Sequence, residues 1–436
     1  MTIQVRELNN VSQEELARIM RRAEQDISDL LATAETIIGE VRAEGDAALV
    51  KYNRKFDAPN FEAVQLKAVP EDFAAARANL SEEVQDAVRA AYENIKIFHE
   101  EQMPEPMWFM EVKPGVMAGE KTTAIPSVAL YVPRGKGAFP SVMLMLAVPA
   151  MVAGVEHVVV VTPPGPDGKV DDASLFAAEV CGVSEVYAVG GMQSIAALAY
   201  GTETIPQVAK IIGPGSSYVS AAKRLLYGVV DVGTPAGPSE SIILADDTID
   251  PRIAALDLLV EAEHGPDSAA LLVTHSRRVA DEALAILPEL IAKLPPQRQE
   301  FINTVLGGYG GIMITESLEQ SIQFVNDYAP EHLEILTAEP FVTLQKIKNA
   351  GEILLGSYTP IPISNYNLGL NAILPTGTFA RSFSSVGVHD FLKRSGIGYL
   401  SKEGYEALKD TAALLADYEG FSSHALAIRQ RDEWWQ

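Results

Sequence analysis

With 436 residues, 47% of them hydrophobic and 21% charged, the chain has the make-up of a soluble globular protein of about two to three domains. Its 58 Asp and Glu outweigh 34 Lys and Arg, for a formal net charge of −24, which repels phosphate backbones and anionic lipid and argues against a nucleic-acid or membrane-surface partner. The single cysteine, Cys181, excludes an internal disulfide and a cysteine-based zinc knuckle, and it suits a reducing cytosol.

The segment Met1–Glu24 has no apolar signal-peptide core, so a cytoplasmic chain is expected. No apolar run reaches the length of about 18 residues that a membrane span needs; the longest, around Val142–Val155, is broken by Pro149 and Gly154. Ser12-Gln13-Glu14-Glu15 has the spacing of a capping box and predicts a helix start. Apolar residues follow at helical intervals, at Leu16, Ile19 and Met20 and again at Ile27, Leu30 and Leu31. Ser81-Glu82-Glu83 opens another helix, predicted to run to about Glu101. These helices read as packing elements.

From about Thr122 short β-branched runs alternate with helical stretches. Strands are predicted at Val128–Val132, His157–Thr162, Glu185–Val189, Val208–Ile212, Ser241–Ala245, Ala269–Thr274, Ile312–Ile314 and Ile353–Leu355. The unbroken valines of His157–Thr162 suit a strand buried on both faces. Such alternation predicts an α/β fold with parallel sheets, and the number of strands calls for two α/β units. Past Leu392 the chain is polar and is predicted to be a helical tail.

Candidate chemistry gathers at three histidines. Glu261 and His264 stand i, i+3 on a helix that Gly265-Pro266 ends, so both side chains fall on one face within reach of one metal ion. The same spacing is common on solvated helices, which leaves both readings open. Glu331 and His332 follow Pro330. As neighbours they point in different directions and would not pair, yet they could serve as two acid/base groups facing one cavity; an exposed strand start is the other reading. His424 lies in a polar tail and would have to reach back into a site, on this subunit or on another. Glycine turns follow three predicted strands: Tyr131-Val132-Pro133-Arg134-Gly135-Lys136-Gly137, Gly190-Gly191-Met192-Gln193 and Gly213-Pro214-Gly215-Ser216. Free backbone N–H groups there suit a phosphate or nucleotide, although none matches the full dinucleotide fingerprint.

Six segments together give the chain its resemblance to the histidinol dehydrogenase family. They are Tyr131-Val132-Pro133, Val189-Gly190-Gly191-Met192-Gln193, Pro235-Ala236-Gly237-Pro238-Ser239-Glu240, Ala262-Glu263-His264-Gly265-Pro266-Asp267-Ser268, Tyr328-Ala329-Pro330-Glu331-His332-Leu333 and Leu374-Pro375-Thr376-Gly377. The resemblance covers nearly the whole chain. It implies a zinc- and NAD-dependent homodimer that oxidises L-histidinol, a small alcohol, through an aldehyde to L-histidine, as in histidine biosynthesis. Carried over, His332 takes the hydroxyl proton and Glu331 activates the water that attacks the aldehyde. Zinc would be held by Glu261, His264, Asn365 and His424, the last from the partner's tail. Ser239, Glu261, His264, His332, Asn365, Glu419 and His424 would contact substrate, and Tyr131, Gln193 and Ser216 the NAD.

The implied architecture is an N-terminal helical arm (1–25), a discontinuous first α/β domain of incomplete Rossmann type (26–130 and 240–385) carrying the metal and catalytic residues, an inserted second α/β domain on the NAD side (131–239) and a helical, dimer-forming tail (386–436). The chain departs from the family pattern at five places. Glu261 stands where the family has Gln and Asn365 where it has Asp, a reciprocal exchange that keeps the ligand charge. Ala372 replaces a His, and Ser216 an Asn. Arg134 and Lys136 add cations beside the predicted cofactor turn. These changes keep open a paralogue acting on another small polar or anionic alcohol, such as a sulfonated diol, and a non-catalytic nucleotide-binding member.

Overall fold

The computed structural model describes residues 3–22, 27–134 and 137–435. Lys136, whose role beside the cofactor turn is raised above, lies outside the described residues. In chain order the strands are β1 (Val5–Glu7), β2 (Met107–Lys113), β3 (Val116–Ala124), β4 (Ser127–Tyr131), β5 (His157–Thr162), β6 (Glu185–Ala188), β7 (Lys210–Ile212), β8 (Glu240–Ala245), β9 (Ala269–Thr274), β10 (Gly311–Ile314), β11 (His332–Leu336), β12 (Glu352–Leu355) and β13 (Leu392–Leu400). The chain divides into two units, one built from the residues up to Gln102 with Pro126–Phe391, the other from Met103–Ile125 with the residues from Leu392 onward.

The first unit holds two parallel sheets. One has six strands in the order β1-β10-β9-β8-β11-β12, the other four in the order β6-β5-β4-β7. Every ladder in them is parallel, as the α/β reading expects. The reason is visible strand by strand. In β8 and β9 all six residues are buried, so both faces need a cover of helices. On one face of the six-stranded sheet Ile243, Leu272 and Ile312 pack with Leu258 and Leu287; on the other, Ile242, Leu271 and Met313 pack with Val325 and Tyr328.

Several boundaries differ from the sequence reading. The expected N-terminal helical arm contains β1, which pairs with β10 and completes the six-stranded sheet. Ser12 does cap the helix Gln13–Arg21, accepting the Glu15 N–H, but the Glu15 carboxylate pairs with Arg6 at 2.8 Å and does not close the capping box. The four-stranded sheet already begins at Ser127. The helices between Ser28 and Glu101, assigned above to the first α/β domain, pack against the helices that flank the four-stranded sheet. Ser28–Glu44 lies on Gly191–Tyr200 and Ser217–Leu226, Pro70–Asn79 on Asp172–Val180, and Glu82–Glu101 on Pro140–Val152.

The second unit is an antiparallel sheet in the order β13-β3-β2 with two helices, Lys402–Tyr418 and Ser422–Trp434, packed on each other. The tail is therefore not helical throughout. Within it Leu392–Leu400 form β13, paired with β3 along its whole length. All seven residues of β2 are exposed. No helix among the described residues is long and apolar enough to cross a membrane.

Candidate active site

The first unit collects its unusual polar residues at the amino ends of β8, β11 and β12. His332 opens β11 and is in register with Ser241 of β8 and Glu352 of β12. Glu331 precedes it, and Glu240 opens β8. The helix Pro251–Ala262 starts on a Pro at its first position, with the Asp250 side chain accepting the Arg252 N–H as cap. Its last turn delivers Glu261, and His264 follows just beyond the end. The short helix Ile361–Tyr366 brings in Asn365.

Distances show how tightly these side chains converge. Glu261 Oε2 lies 2.9 Å from His264 Nδ1, so the i, i+3 spacing does place both on one face. Ser239 Oγ is also 2.9 Å from His264 Nδ1. Asn365 Nδ2 donates to Glu261 Oε1 at 3.5 Å. His332 Nε2 is 4.0 Å from Glu261 Oε1 and 3.9 Å from Glu331 Oε1, and His332 Nδ1 is 2.8 Å from Glu352 Oε2. The expected divergence of Glu331 and His332 is thus not what the chain adopts. Ala329 sits at φ +52 and Pro330 follows, so Glu331 lies ahead of the strand's regular alternation and turns back toward the imidazole. Nor is His332 at an exposed strand start; it is buried, as are Glu261 and Glu331.

Burial and charge compete at each of these groups. Burial would raise the Glu261 carboxyl, but the imidazoles of His264 and His332 outweigh it and hold the group down at about 2. At His332 burial would lower the pKa; the surrounding carboxylates of Glu261, Glu352 and Glu331 prevail and hold it up at about 10. Glu331 goes the other way. Burial, with Glu261 and Glu240 nearby, pushes its carboxyl well above the ordinary range, although His332 and a hydrogen bond to its oxygen pull it down. That bond comes from the Glu240 N–H to Glu331 Oε2 at 2.7 Å. Glu240 is fixed in turn by the Gly377 N–H at 2.8 Å and by Arg22, whose Nε is 3.4 Å from Glu240 Oε2. Arg22 also donates to the Tyr328 and Ala329 carbonyls, just ahead of Glu331.

The carboxylate of Glu261 and the imidazole of His264 are donors that suit zinc, and the amide oxygen of Asn365 is a weaker third. Asn365 Oδ1 is buried with no hydrogen-bond partner among the described residues, an orphan that a cation would satisfy. The residues present therefore fit a divalent metal. Glu419 and His424 belong to the second unit, where both are exposed; the His424 ring stacks on Phe421 with centroids 5.2 Å apart.

The cofactor candidates lie at the carboxyl ends of the four-stranded sheet. The Gly191 N–H donates to Tyr131 Oη at 3.2 Å. Gly213, at φ +131, lies so close to the end of β4 that a Cβ there would stand 2.2 Å from the Tyr131 carbonyl oxygen. The glycine turns after β6 and β7 therefore meet at Tyr131, which is buried and whose phenol burial pushes up to about 12. Gln193 is buried and Ser216 exposed. Arg134 Nη1 donates to the Lys169 carbonyl at 2.7 Å, so its guanidinium leans on the loop after β5. Ala372, where an imidazole is missing, gives its N–H to Met145 Sδ at 3.4 Å, and its neighbour Asn371 lies 3.4 Å from the buried His99. A cavity of about 500 Å³ borders both sheets, lined by Gly215, Ser217 and Lys223 on one side and by Pro235–Pro238 and Glu240 on the other. Glu352, Glu240 and Arg22 are the participants that sequence reasoning missed. Each joins the cluster through a register or turn that no local motif announces.

The sequence matches the family model described as histidinol dehydrogenase over residues 20–432. It is 56% identical over 425 residues to the histidinol dehydrogenase of Synechocystis, covering 98% of each chain. It is 53% identical to a histidinol dehydrogenase homolog of Rhizobium meliloti, covering 97% of this chain and 93% of that one. The fold superposes on the crystal structure of histidinol dehydrogenase from Elizabethkingia anophelis with a TM-score of 0.93 at 32% identity, covering 99% of this chain and 98% of that one.

Proposed function

Because the chain belongs to the histidinol dehydrogenase family of NAD-dependent oxidoreductases, we propose that it oxidises L-histidinol to L-histidine in two steps through the aldehyde. The observation that carries this reading is His332 Nε2 standing within 4.0 Å of both Glu331 and Glu261. In the first oxidation the substrate hydroxyl gives its proton to His332 Nε2 while hydride leaves the same carbon. In the second, Glu331 takes a proton from the water that adds to the aldehyde, and the hydrate loses the second hydride. Tyr131, Gln193 and Ser216 would contact NAD, and Glu261, His264, Asn365 and the partner subunit's His424 would hold zinc. When bound, the cofactor supplies the hydride acceptor and the metal an electrostatic anchor for the substrate. Ser239 and Glu419 would contact the substrate.

The homodimer follows the same reading. The second unit exposes Trp108, Phe109, Tyr399, Leu414, Leu415 and Tyr418, an apolar surface that calls for a partner, and a second copy would cover it and deliver its tail. The buried Cys181 thiol suits a cytosolic setting.

The experiment is NADH formation from L-histidinol by the purified protein, before and after chelation and zinc restoration. The expected result is turnover that chelation abolishes and zinc restores, with two NADH per substrate. Absent turnover with zinc bound stoichiometrically would reject histidinol. One observation favours a second reading, an anionic alcohol: Arg21, Arg22, Lys223 and Arg224 all line the cavity in a chain of net charge −24. A panel of anionic and neutral alcohols in the same assay decides between the two.

A further inference from the structure

We propose that Glu352 is the positioning residue for the base: it fixes His332 with the proton on Nδ1 and Nε2 turned toward the substrate, and it locks that imidazole to the helix that carries Asn365. The inference rests on the reading of His332 as the base.

An imidazole has two nitrogens, and only the one without a proton can accept one. Which of them is free is decided by what the other meets. Here Nδ1 lies 2.8 Å from Glu352 Oε2, and a carboxylate can only accept, so Nδ1 carries the hydrogen. In the neutral ring, the form that can accept a proton, Nε2 is then the free nitrogen, and it is the one that faces Glu331 and Glu261. Glu352 is 6% exposed and His332 3%, so solvent does not compete for the bond.

The contact is set by the backbone. His332 and Glu352 are register partners on adjacent parallel strands, which sends their side chains to the same face, side by side. The carboxylate is also pinned at its other end, because Ser364 Oγ donates to Glu352 Oε1. Both oxygens are committed to different partners, and the group has no freedom to swing. Ser364 is the residue before Asn365 on the helix Ile361–Tyr366. Glu352 therefore joins the base to the helix that presents the amide to Glu261. The other acids of the cluster are occupied elsewhere: Glu331 Oε2 accepts the Glu240 N–H and Glu261 Oε2 faces His264.

The test compares E352A and E352Q with the wild-type protein, all zinc-reconstituted, by steady-state kinetics with L-histidinol and by crystal structures. For E352A a fall of about 10- to 100-fold in kcat is expected, with KM and NAD affinity within about threefold of wild type, the pattern of an interaction that matters to the transition state and not to binding. E352Q keeps the shape and an oxygen acceptor for the Nδ1–H. It is expected to recover kcat to within about tenfold of wild type. In crystals of E352A the His332 ring should leave its wild-type rotamer or divide between two. An unmoved ring in E352A, an unchanged kcat, or equal losses in E352A and E352Q would overturn the proposal. Should E352A fail to fold, E352M, which fills the space but removes the acceptor for Nδ1–H, takes its place with the same expected loss of about 10- to 100-fold in kcat and the same overturning outcomes. If the wild-type protein makes no NADH from L-histidinol, the substrate reading fails, and the ring position in E352A crystals still decides the role of Glu352.

Discussion

At Glu331 and His332 two neighbouring residues are assigned to two successive oxidations, and a single substitution should separate them. In E331Q the amide cannot take a proton from water, while His332 remains. The expected outcome is one NADH per histidinol with aldehyde released, in place of two, read by end-point absorbance and aldehyde trapping. A second prediction concerns Glu334, two residues along β11. Burial and the neighbouring Asp257 push its carboxyl up to about 9. In the unfolded chain the group ionises at its ordinary value, so below that value its contribution to stability is fully present, and it is lost as pH rises toward 9. E334Q cannot ionise, and its uncharged oxygen can still accept the Ile361 N–H that Glu334 Oε1 accepts now at 2.6 Å. Its melting temperature should match wild type near pH 4 and exceed it by about 2–4 °C near pH 8, a gain on the order of 1 kcal/mol. Equal slopes of melting temperature against pH for the two proteins would contradict this.

At the scale of elements, the two sheets use opposite ends. The cofactor turns follow the carboxyl ends of β4, β6 and β7, the usual place for a ligand in an open parallel sheet. The acid/base cluster instead sits at the amino ends of β8, β11 and β12. The turn after β7, through Gly215 and Ser217, and the amino end of β8, through Glu240, border one cavity; under the proposed function a cofactor on one sheet would lie beside a substrate on the other. Gly213 is where this arrangement has least slack. In G213A a Cβ would meet the Tyr131 carbonyl at 2.2 Å, at a φ of +131 that L side chains rarely adopt. The cost is about 1–3 kcal/mol. The expected results are a lower melting temperature and a weaker NAD affinity in a fluorescence titration, with zinc content unchanged.

The same elements show what the sequence could disclose. β5, β8 and β9 each carry a continuous apolar run buried on both faces (Val158–Val161, Ile242–Ala245 and Ala269–Val273), so they stand out and their expected limits fall within a residue of those observed. β1 buries only its central residue, β2 buries none, and neither carries an alternating pattern to read. β11 escaped for the opposite reason: all five residues are buried, yet His332 and Glu334 are polar and interrupt the apolar signal. Glu261 and His264 were legible because a helix turns their spacing into proximity. Glu352 was not, because only the register of β11 with β12 brings it to His332.

For the whole molecule, the test is assembly. W108K and F109K in the same chain place two charges on the exposed strand β2. If this surface is the subunit contact, sedimentation velocity should show a shift from dimer to monomer. NADH formation should fall with it, because each site is proposed to take His424 from its neighbour. A monomer that retains full activity would separate the tail from the chemistry.

The pairing of β3 with β13 also sets a clock on biosynthesis. The two strands are separated by more than half the chain, so on the ribosome the β2–β3 hairpin waits on the order of tens of seconds for its third strand at roughly 5–20 residues per second. Throughout that interval the edge of β3, Val116–Ala124, that β13 will cover stands open. Newly made chains should therefore be most vulnerable to aggregation, and most dependent on chaperones, while the central α/β sheets are being translated. Any product that stops before β13 would carry that open edge permanently and mark itself for removal.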